Sequence, residues 1–115
     1  MKTRKELKEE YKQIKYKMGV FQIRNKTNGK IYISSSADLD AIWHAERLQL
    51  NMGIHQNAAL QKDWKMLGSD HFEYEIIDIY KPKDNPSTDY TKDIKTLEKM
   101  FIEELQPFGN KGYNK

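Results

Sequence analysis

The sequence predicts a single α+β domain. In it, a small antiparallel or mixed sheet of three short strands is flanked by helices, in the order α-β-β-α-α-β-α. Three observations predict this class. The chain has 115 residues, which suits one small domain. Two short runs of alternating apolar residues flank an Asn-Gly pair, which is typical of a β-hairpin. Elsewhere apolar residues recur at spacings of three and four, as on one face of a helix.

The first predicted element is a charged helix or arm over residues 1–17, followed by a single domain over 18–115. Seven basic and three acidic side chains give this arm a net charge of +4, whereas the whole chain carries +3. One interpretation is that the arm binds a polyanion such as DNA through its lysines, which include Lys5, Lys8, Lys12 and Lys15. The other is that Leu7, Tyr11 and Ile14 pack the helix on the domain and leave its lysines in water.

The predicted hairpin comes next, with strands over 19–25 and 30–34. A two-residue turn at the Asn-Gly pair suits these residues, because both turn positions need a positive φ, and it would place the residue at 25 opposite Tyr32. Successive side chains point to opposite faces of a strand. The pairing therefore puts Phe21 and Tyr32 on one face of the sheet and Arg24 on the other.

Two helices, a strand and a last helix complete the order. The first helix follows a turn rich in capping oxygens at 34–38 and should end near Gly53, and the second runs from about Asn57 to Gly68. Trp43 and Trp64 are expected in the core. A strand is predicted over 72–80, a long loop over 81–93, and the last helix from Tyr90 or Ile94 to Leu105.

Composition excludes several classes of protein. Cysteine is absent, which rules out disulfides, thiolate metal sites and cysteine nucleophiles. No apolar run approaches the roughly 20 residues of a membrane helix, and the N-terminal segment lacks the apolar centre of a signal peptide. We therefore expect no membrane partner and a cytoplasmic location. Short motifs for phosphate-binding loops, Ca²⁺ loops, zinc proteases and serine hydrolases are also missing.

A set of motifs in a fixed order carries the functional information. Gly19-Val20-Phe21 is followed by Tyr32-Ile33-Ser34, then by His55, Glu98 and the terminal Gly112-Tyr113-Asn114. In order and spacing this set resembles the GIY-YIG nuclease family over residues 19–114. The resemblance implies a GIY-YIG-like fold and a metal-dependent DNA endonuclease, with one Mg²⁺ or Mn²⁺ ion as cofactor and DNA as partner. It leaves the oligomeric state open.

The resemblance also implies roles for individual residues. Tyr32 stands at the second family tyrosine and Phe21 at the first. His55 stands at a histidine of some relatives and Asn114 at the terminal asparagine, so that these four form the implied catalytic set. Glu98 stands at the carboxylate that binds the metal, and a carboxylate oxygen is the ligand that such a hard ion prefers.

Four positions depart from the family pattern. Phe21 has no hydroxyl, and Ser34 replaces a glycine. Ile42 stands where the family has an arginine, and Glu46 stands where it has a histidine, although Glu46 could instead be a second metal carboxylate. A catalytic arginine can be worth ~10³-fold in phosphoryl transfer, so we expect a weak endonuclease. The alternative is a catalytically inactive GIY-YIG fold that serves as a DNA-binding or regulatory module.

Two arginines outside these motifs are candidate DNA contacts, Arg24 and Arg47. We predict that neither can substitute for the family arginine that is absent at Ile42. Arg47 lies about 140° around the helix from Ile42, and Arg24 lies on the sheet face opposite Tyr32.

Each candidate residue also has a structural interpretation that the sequence leaves open. These are packing of Tyr32 within the sheet, solvation of Glu98 beside Lys95, a turn at Asn114 and a helix-capping role for His55.

Overall fold

The computed structural model describes residues 17–80 and 90–114. Its three strands form one antiparallel sheet in the order β2-β1-β3, as the α+β prediction requires. The strands are β1 (Gly19–Asn25), β2 (Ile31–Ser36) and β3 (Phe72–Ile79), and the helices are α1 (Leu39–Met52), α2 (Ala58–Leu67) and α3 (Thr91–Leu105). Short 3₁₀ turns cover Ser69–His71 and Gly109–Lys111. The predicted helix over 1–17 lies, but for its last residue, outside the described residues, as does most of the loop predicted over 81–93.

The hairpin register differs by two residues from the predicted one. Ile23 lies opposite Tyr32, and the backbone N–H of Asn25 donates to the carbonyl of Lys30 at 2.8 Å. Residues 26–29 therefore form a four-residue loop in place of the predicted two-residue turn. A shift of two residues keeps each side chain on its face.

The loop sequence explains the longer turn. A two-residue turn of the predicted type needs positive φ at both central residues. Gly29 has a φ of 78°, but among the described non-glycine residues only Gln106 has a positive φ, so Asn28 does not meet the requirement. The Asn28 side chain instead accepts a hydrogen bond from the N–H of Lys30 at 2.9 Å and closes the end of the loop.

The ends of α1 and α2 lie where the sequence predicts them. The side chain of Asp38 accepts from the N–H of Ala41, and that of Asn57 accepts from the N–H of Leu60, each at 3.0 Å. Gly53 ends α1 in the left-handed conformation with a φ of 78°. The predicted start of the last helix also holds, because α3 begins at Thr91.

The main hydrophobic core lies between the sheet and the pair α1 and α2. Its buried members are Phe21, Ile23, Tyr32, Leu39, Leu50, Leu60, Trp64, Phe72 and Tyr113, and Trp43 packs against them. The opposite face of the sheet, which carries Val20 and Ile33, is also buried and faces α3 through Ile94. Since β2 is an edge strand between these two layers, side chains from both layers can meet at its edge.

The C-terminal tail completes the edge of β2. Gly112 forms a parallel bridge with Ile31, and the N–H of Tyr113 donates to the Ile31 carbonyl at 2.9 Å. A Cβ on Gly112 would lie 2.4 Å from the carbonyl oxygen of Pro107, so no larger residue fits there without movement. Within the described segments, no helix has the length and apolar character needed to cross a membrane.

Candidate functional site

The Gly19-Val20-Phe21 segment is a structural part of the sheet. A Cβ on Gly19 would lie 2.1 Å from the carbonyl oxygen of Asp78 on β3, because the two backbones approach closely there. Phe21 is fully buried, and its ring lies 5.3 Å from that of Tyr74. At this position the chain therefore supplies core packing and no hydroxyl.

Tyr32 is buried on the same face as Phe21, as predicted, and its hydroxyl accepts a hydrogen bond from Gln56 Nε2 at 3.4 Å. Burial raises the pKa of Tyr32 above its ordinary value of 10.0, because it disfavours the phenolate. The Gln56 amide lowers this pKa, and the negative charges of Glu46 and Glu98 raise it. The phenol is therefore protonated at neutral pH and can donate a hydrogen bond.

Glu46 and His55 form a buried pair beside Tyr32. His55 Nδ1 accepts a hydrogen bond from the N–H of Asn57 at 3.0 Å, so we assign the ring hydrogen to Nε2, which donates to Glu46 Oε2. The side chains of His55 and Glu46 are 0% and 8% exposed. The His55 ring contacts Tyr32 edge to face, with 5.6 Å between the ring centres. Both ring nitrogens of His55 thus have hydrogen-bond partners, which fix the ring in its position against Tyr32.

This pairing changes two interpretations made from the sequence. Glu46 points to His55 within the core layer, so the structure does not present it as a second metal carboxylate. Helix capping at the start of α2 belongs to the Asn57 side chain, which accepts from Leu60, whereas His55 binds the N–H of Asn57. Ile42, one turn before Glu46, is partly buried and packs against the core.

Glu98 lies on α3, and its side chain contacts β2 at Ser35. Its Oε1 accepts a hydrogen bond from Ser35 Oγ at 3.0 Å and lies 3.6 Å from Lys95 Nζ. The Glu98 side chain is 17% exposed. Because Glu98 and Glu46 both raise the pKa of Tyr32, each of the two carboxylates lies within electrostatic range of the Tyr32 hydroxyl.

Asn114 lies at the same edge but uses its amide on the backbone. Its Oδ1 accepts from the N–H of Ile33 and its Nδ2 donates to the Ile33 carbonyl, each at 2.9 Å. The side chain thus pairs with β2 as another strand would. This geometry gives Asn114 a role in anchoring the tail.

The structure separates the two candidate arginines from this edge. Arg24 lies on the opposite face of the sheet from Tyr32, as predicted, and contacts Glu73 at 2.6 Å and Glu75 at 3.0 Å. Hydrogen bonding to Glu73 and the charge of Glu75 raise the pKa of Arg24. Two acidic neighbours make Arg24 a poor phosphate contact.

Arg47 lies over the ring of Trp43, 5.4 Å from its centre, and beside His44. It lines a shallow cleft of about 360 Å³ with Asn51 and Ser69, away from Tyr32. Lys5, Lys8, Lys12 and Lys15 fall outside the described residues.

Four site residues were not predicted from the sequence. Gln56 binds the Tyr32 hydroxyl, Ser35 binds Glu98, and Lys95 was noted only as a neighbour of Glu98. The hydroxyl of Tyr74, on β3, donates to the carbonyl of Leu39 at the start of α1. The position of Gln56 next to His55 was an available signal, but the contacts of Ser35 and Tyr74 depend on the tertiary fold.

The donor set for a metal ion is small. Among residues 17–80 and 90–114, no group of three or more His, Asp or Glu side chains could hold an ion. Both contacts of Glu98 in this part of the chain are made by Oε1. Oε2 is therefore available to a divalent ion that takes its remaining ligands from water and substrate, as Mg²⁺ commonly does.

Comparisons with known proteins agree with the fold and with the family that the sequence resembles. The chain is 32% identical over 99 residues to intron-associated endonuclease 1 of Enterobacteria phage T4. The match covers 85% of this chain and 36% of the phage protein, so the chain spans about a third of that relative's length. No protein-family model matches the chain.

Two solved structures have the same fold. The catalytic domain of the homing endonuclease I-TevI matches with a TM-score of 0.68 and 30% identity, over 85% of this chain and 97% of that one. A mutant of the catalytic domain of intron endonuclease I-TevI matches with a TM-score of 0.70 and 30% identity, over 85% of this chain and 92% of that one.

Proposed function

Because the chain belongs to the GIY-YIG nuclease family, we propose that it is a DNA endonuclease domain that hydrolyses phosphodiester bonds with the help of one Mg²⁺ or Mn²⁺ ion. The observation that carries this proposal is that Glu98, hydrogen-bonded to β2 at Ser35, lies close enough for its negative charge to raise the pKa of the protonated Tyr32. The similarity to a phage endonuclease supports nuclease activity. DNA as the substrate, the metal ion and the residue roles are parts of the proposal.

Glu98 is the residue that would hold the ion, through Oε2 and with water as the other ligands. The bound ion would polarise a phosphoryl oxygen and stabilise the charge that develops during hydrolysis. The Ser35 hydroxyl keeps Glu98 oriented by its hydrogen bond to Oε1. Lys95 also contacts Oε1 and leaves Oε2 unobstructed.

Tyr32 would orient the scissile phosphate or the attacking water. Its hydroxyl interacts with the side chains of Gln56 and Ser34, and by accepting from both it would keep its own hydrogen for a substrate oxygen. The His55 ring, held by Glu46, packs against the Tyr32 ring and keeps it in place. This arrangement provides positioning and one donor, and it lacks the guanidinium expected at Ile42, so the proposed activity is slow.

A second candidate function is DNA binding or regulation without cleavage. The observation that favours it is the buried, hydrogen-bonded Glu46–His55 pair, in which a carboxylate stands at the position of a family histidine. A carboxylate there repels a phosphate. The two functions differ in one measurable property, metal-dependent cleavage.

The test is a cleavage assay on plasmid and branched DNA with Mg²⁺ or Mn²⁺, comparing the parent with Glu98→Gln. We expect slow metal-dependent cleavage by the parent and a loss of at least about 100-fold in Glu98→Gln, which keeps the shape but not the charge of the metal ligand. Glu103→Gln, an exposed position on the same helix, is the matched control and should retain parental activity. Parental DNA binding without cleavage would favour the second function.

A further inference from the structure

The negative charges at the β2 edge have few cations to balance them. Glu46 and Glu98 both act on Tyr32, and a DNA phosphate bound there would add a third negative charge. Ile42 offers no charge, and Arg24 is paired with Glu73 and Glu75 of β3. A phosphate binds at such an edge only if some cation compensates for the repulsion.

Lys95 is placed to supply that charge. Its Nζ lies 3.6 Å from Glu98 Oε1, and its side chain is 61% exposed. It lies one turn before Glu98 on α3 and lines a cleft of about 210 Å³ with Ser35 and Ser36. Among the described residues, Lys95 is the cation in contact with a side chain of the proposed site.

The Lys95–Glu98 contact is easily exchanged. The Lys95 side chain is exposed and flexible, and water can replace its contact with the partly buried Glu98, so the ammonium can leave the carboxylate at small cost. A phosphate oxygen held near Glu98 would lie within reach of the same ammonium, because the lysine stem is long and unbranched.

We infer that Lys95 binds the phosphate of the DNA strand at the Glu98 edge, and that it takes the cationic role for which Ile42 has no group. The inference rests on the proposed function. A lysine gives a compact charge and no bidentate fork, so it stabilises the phosphate less than an arginine would. The weaker stabilisation by Lys95 explains why hydrolysis would be slow at a site that retains Glu98 but lacks the arginine.

The first test compares the parent with Lys95→Met, Lys95→Arg and the control Lys65→Met, which removes an exposed lysine from the last turn of α2. Duplex DNA affinity is measured over a range of salt concentrations with the full chain. Loss of one phosphate contact should reduce the log–log salt slope by about 0.9. We expect this reduction in Lys95→Met and a parental slope in the other two.

Cleavage in Mn²⁺ is measured on the same four proteins. We expect about a tenfold or larger loss in Lys95→Met and retained activity in Lys95→Arg. If the parent does not cleave, the nuclease proposal fails, while the salt slopes still decide whether Lys95 contacts phosphate. A parental slope in Lys95→Met, or a parent that binds no DNA, overturns the inference.

Mn²⁺ affinity, titrated without DNA, measures whether the Lys95 ammonium acts on the Glu98 carboxylate in solution, and the salt slope measures its contact with phosphate. Removing a positive charge beside Glu98 should tighten Mn²⁺ binding in Lys95→Met by a few fold relative to Lys65→Met. Equal affinities in both variants would show that the ammonium does not act on the carboxylate, and would overturn the inference.

Discussion

The two sides of the proposed site are built in opposite ways. The His55 side, made of Glu46, His55 and Asn57, is buried, and each side chain has hydrogen bonds to fixed partners. The Glu98 side, made of Ser35, Lys95 and Glu98, has one hydrogen bond and one longer ion pair near the surface. The first side fixes geometry, and the second is free to exchange partners.

This difference predicts that stability and activity depend on different residues. Breaking a buried pair leaves a polar group without water or a partner, which is costly. Changing an exposed pair costs little because water replaces the lost contact. Substitutions on the His55 side should therefore act mainly on folding, and those on the Glu98 side mainly on function.

The largest expected effect is on the His55 side. His55→Ala leaves the Glu46 carboxylate buried without its donor, so we expect the free energy of unfolding to fall by about 3 to 5 kcal/mol. Denaturant unfolding measures this change. Lys95→Ala, which breaks the pair on the Glu98 side, is the control and should change stability by less than about 1 kcal/mol. Similar losses in the two variants would contradict the comparison.

An intermediate effect is expected from restoring a cation beside the His55 side. Ile42→Arg adds a planar, permanently charged donor one turn from Glu46, and we expect cleavage to rise by about tenfold or more. Ile42→Lys is the matched control, because it adds a positive charge without the bidentate geometry of a guanidinium, and its cleavage rate should rise less. An unchanged cleavage rate in a folded Ile42→Arg protein would show that arginine loss does not limit this site.

The smallest effect concerns alkaline pH. Burial raises the pKa of Tyr74 and of Tyr113 to about 12, from an ordinary value of 10.0. A raised folded-state pKa means that the unfolded chain loses its protons first, so the stabilisation is complete below pH 10 and declines from pH 10 to 12.

Unfolding measured across this pH range should show the decline. Tyr74→Phe removes one titrating group and should make the decline shallower, even though the variant also loses the hydrogen bond to Leu39. An equally steep decline in Tyr74→Phe and the parent would indicate that the Tyr74 hydroxyl is not held protonated by the fold.

Much of the fold was predictable because local chemistry determines it. The caps at Asp38 and Asn57 and the left-handed end at Gly53 depend on residues within one turn of each other. The faces of the hairpin followed from alternation alone. The register of the hairpin could not be predicted in this way. It depends on whether Asn28 adopts a positive φ, and an Asn-Gly pair is compatible with either the two-residue or the four-residue loop.

The membership of the site stays a prediction from motif order, and its contacts could not be predicted from the sequence. Motif order predicts that Tyr32 and Glu98 belong to one site, and the negative charge of Glu98 is among the causes that raise the pKa of Tyr32. The Glu46–His55 pair was missed because it joins a helix to the segment beyond its end. A carboxylate on the apolar stripe between Ile42 and Leu50 was the available signal, since a buried carboxylate requires a partner.

The C-terminal tail has a consequence for the order in which the chain can fold during synthesis. Asn25 donates to the Tyr113 hydroxyl inside the core across 88 residues of sequence, and Asn114 completes the β2 edge. Residue 25 leaves the ribosome long before residue 113. The outer edge of β2 therefore has no backbone partner until the C-terminal tail has been synthesised. The domain reaches its final structure only when the tail leaves the exit tunnel, and such long-range closure slows folding.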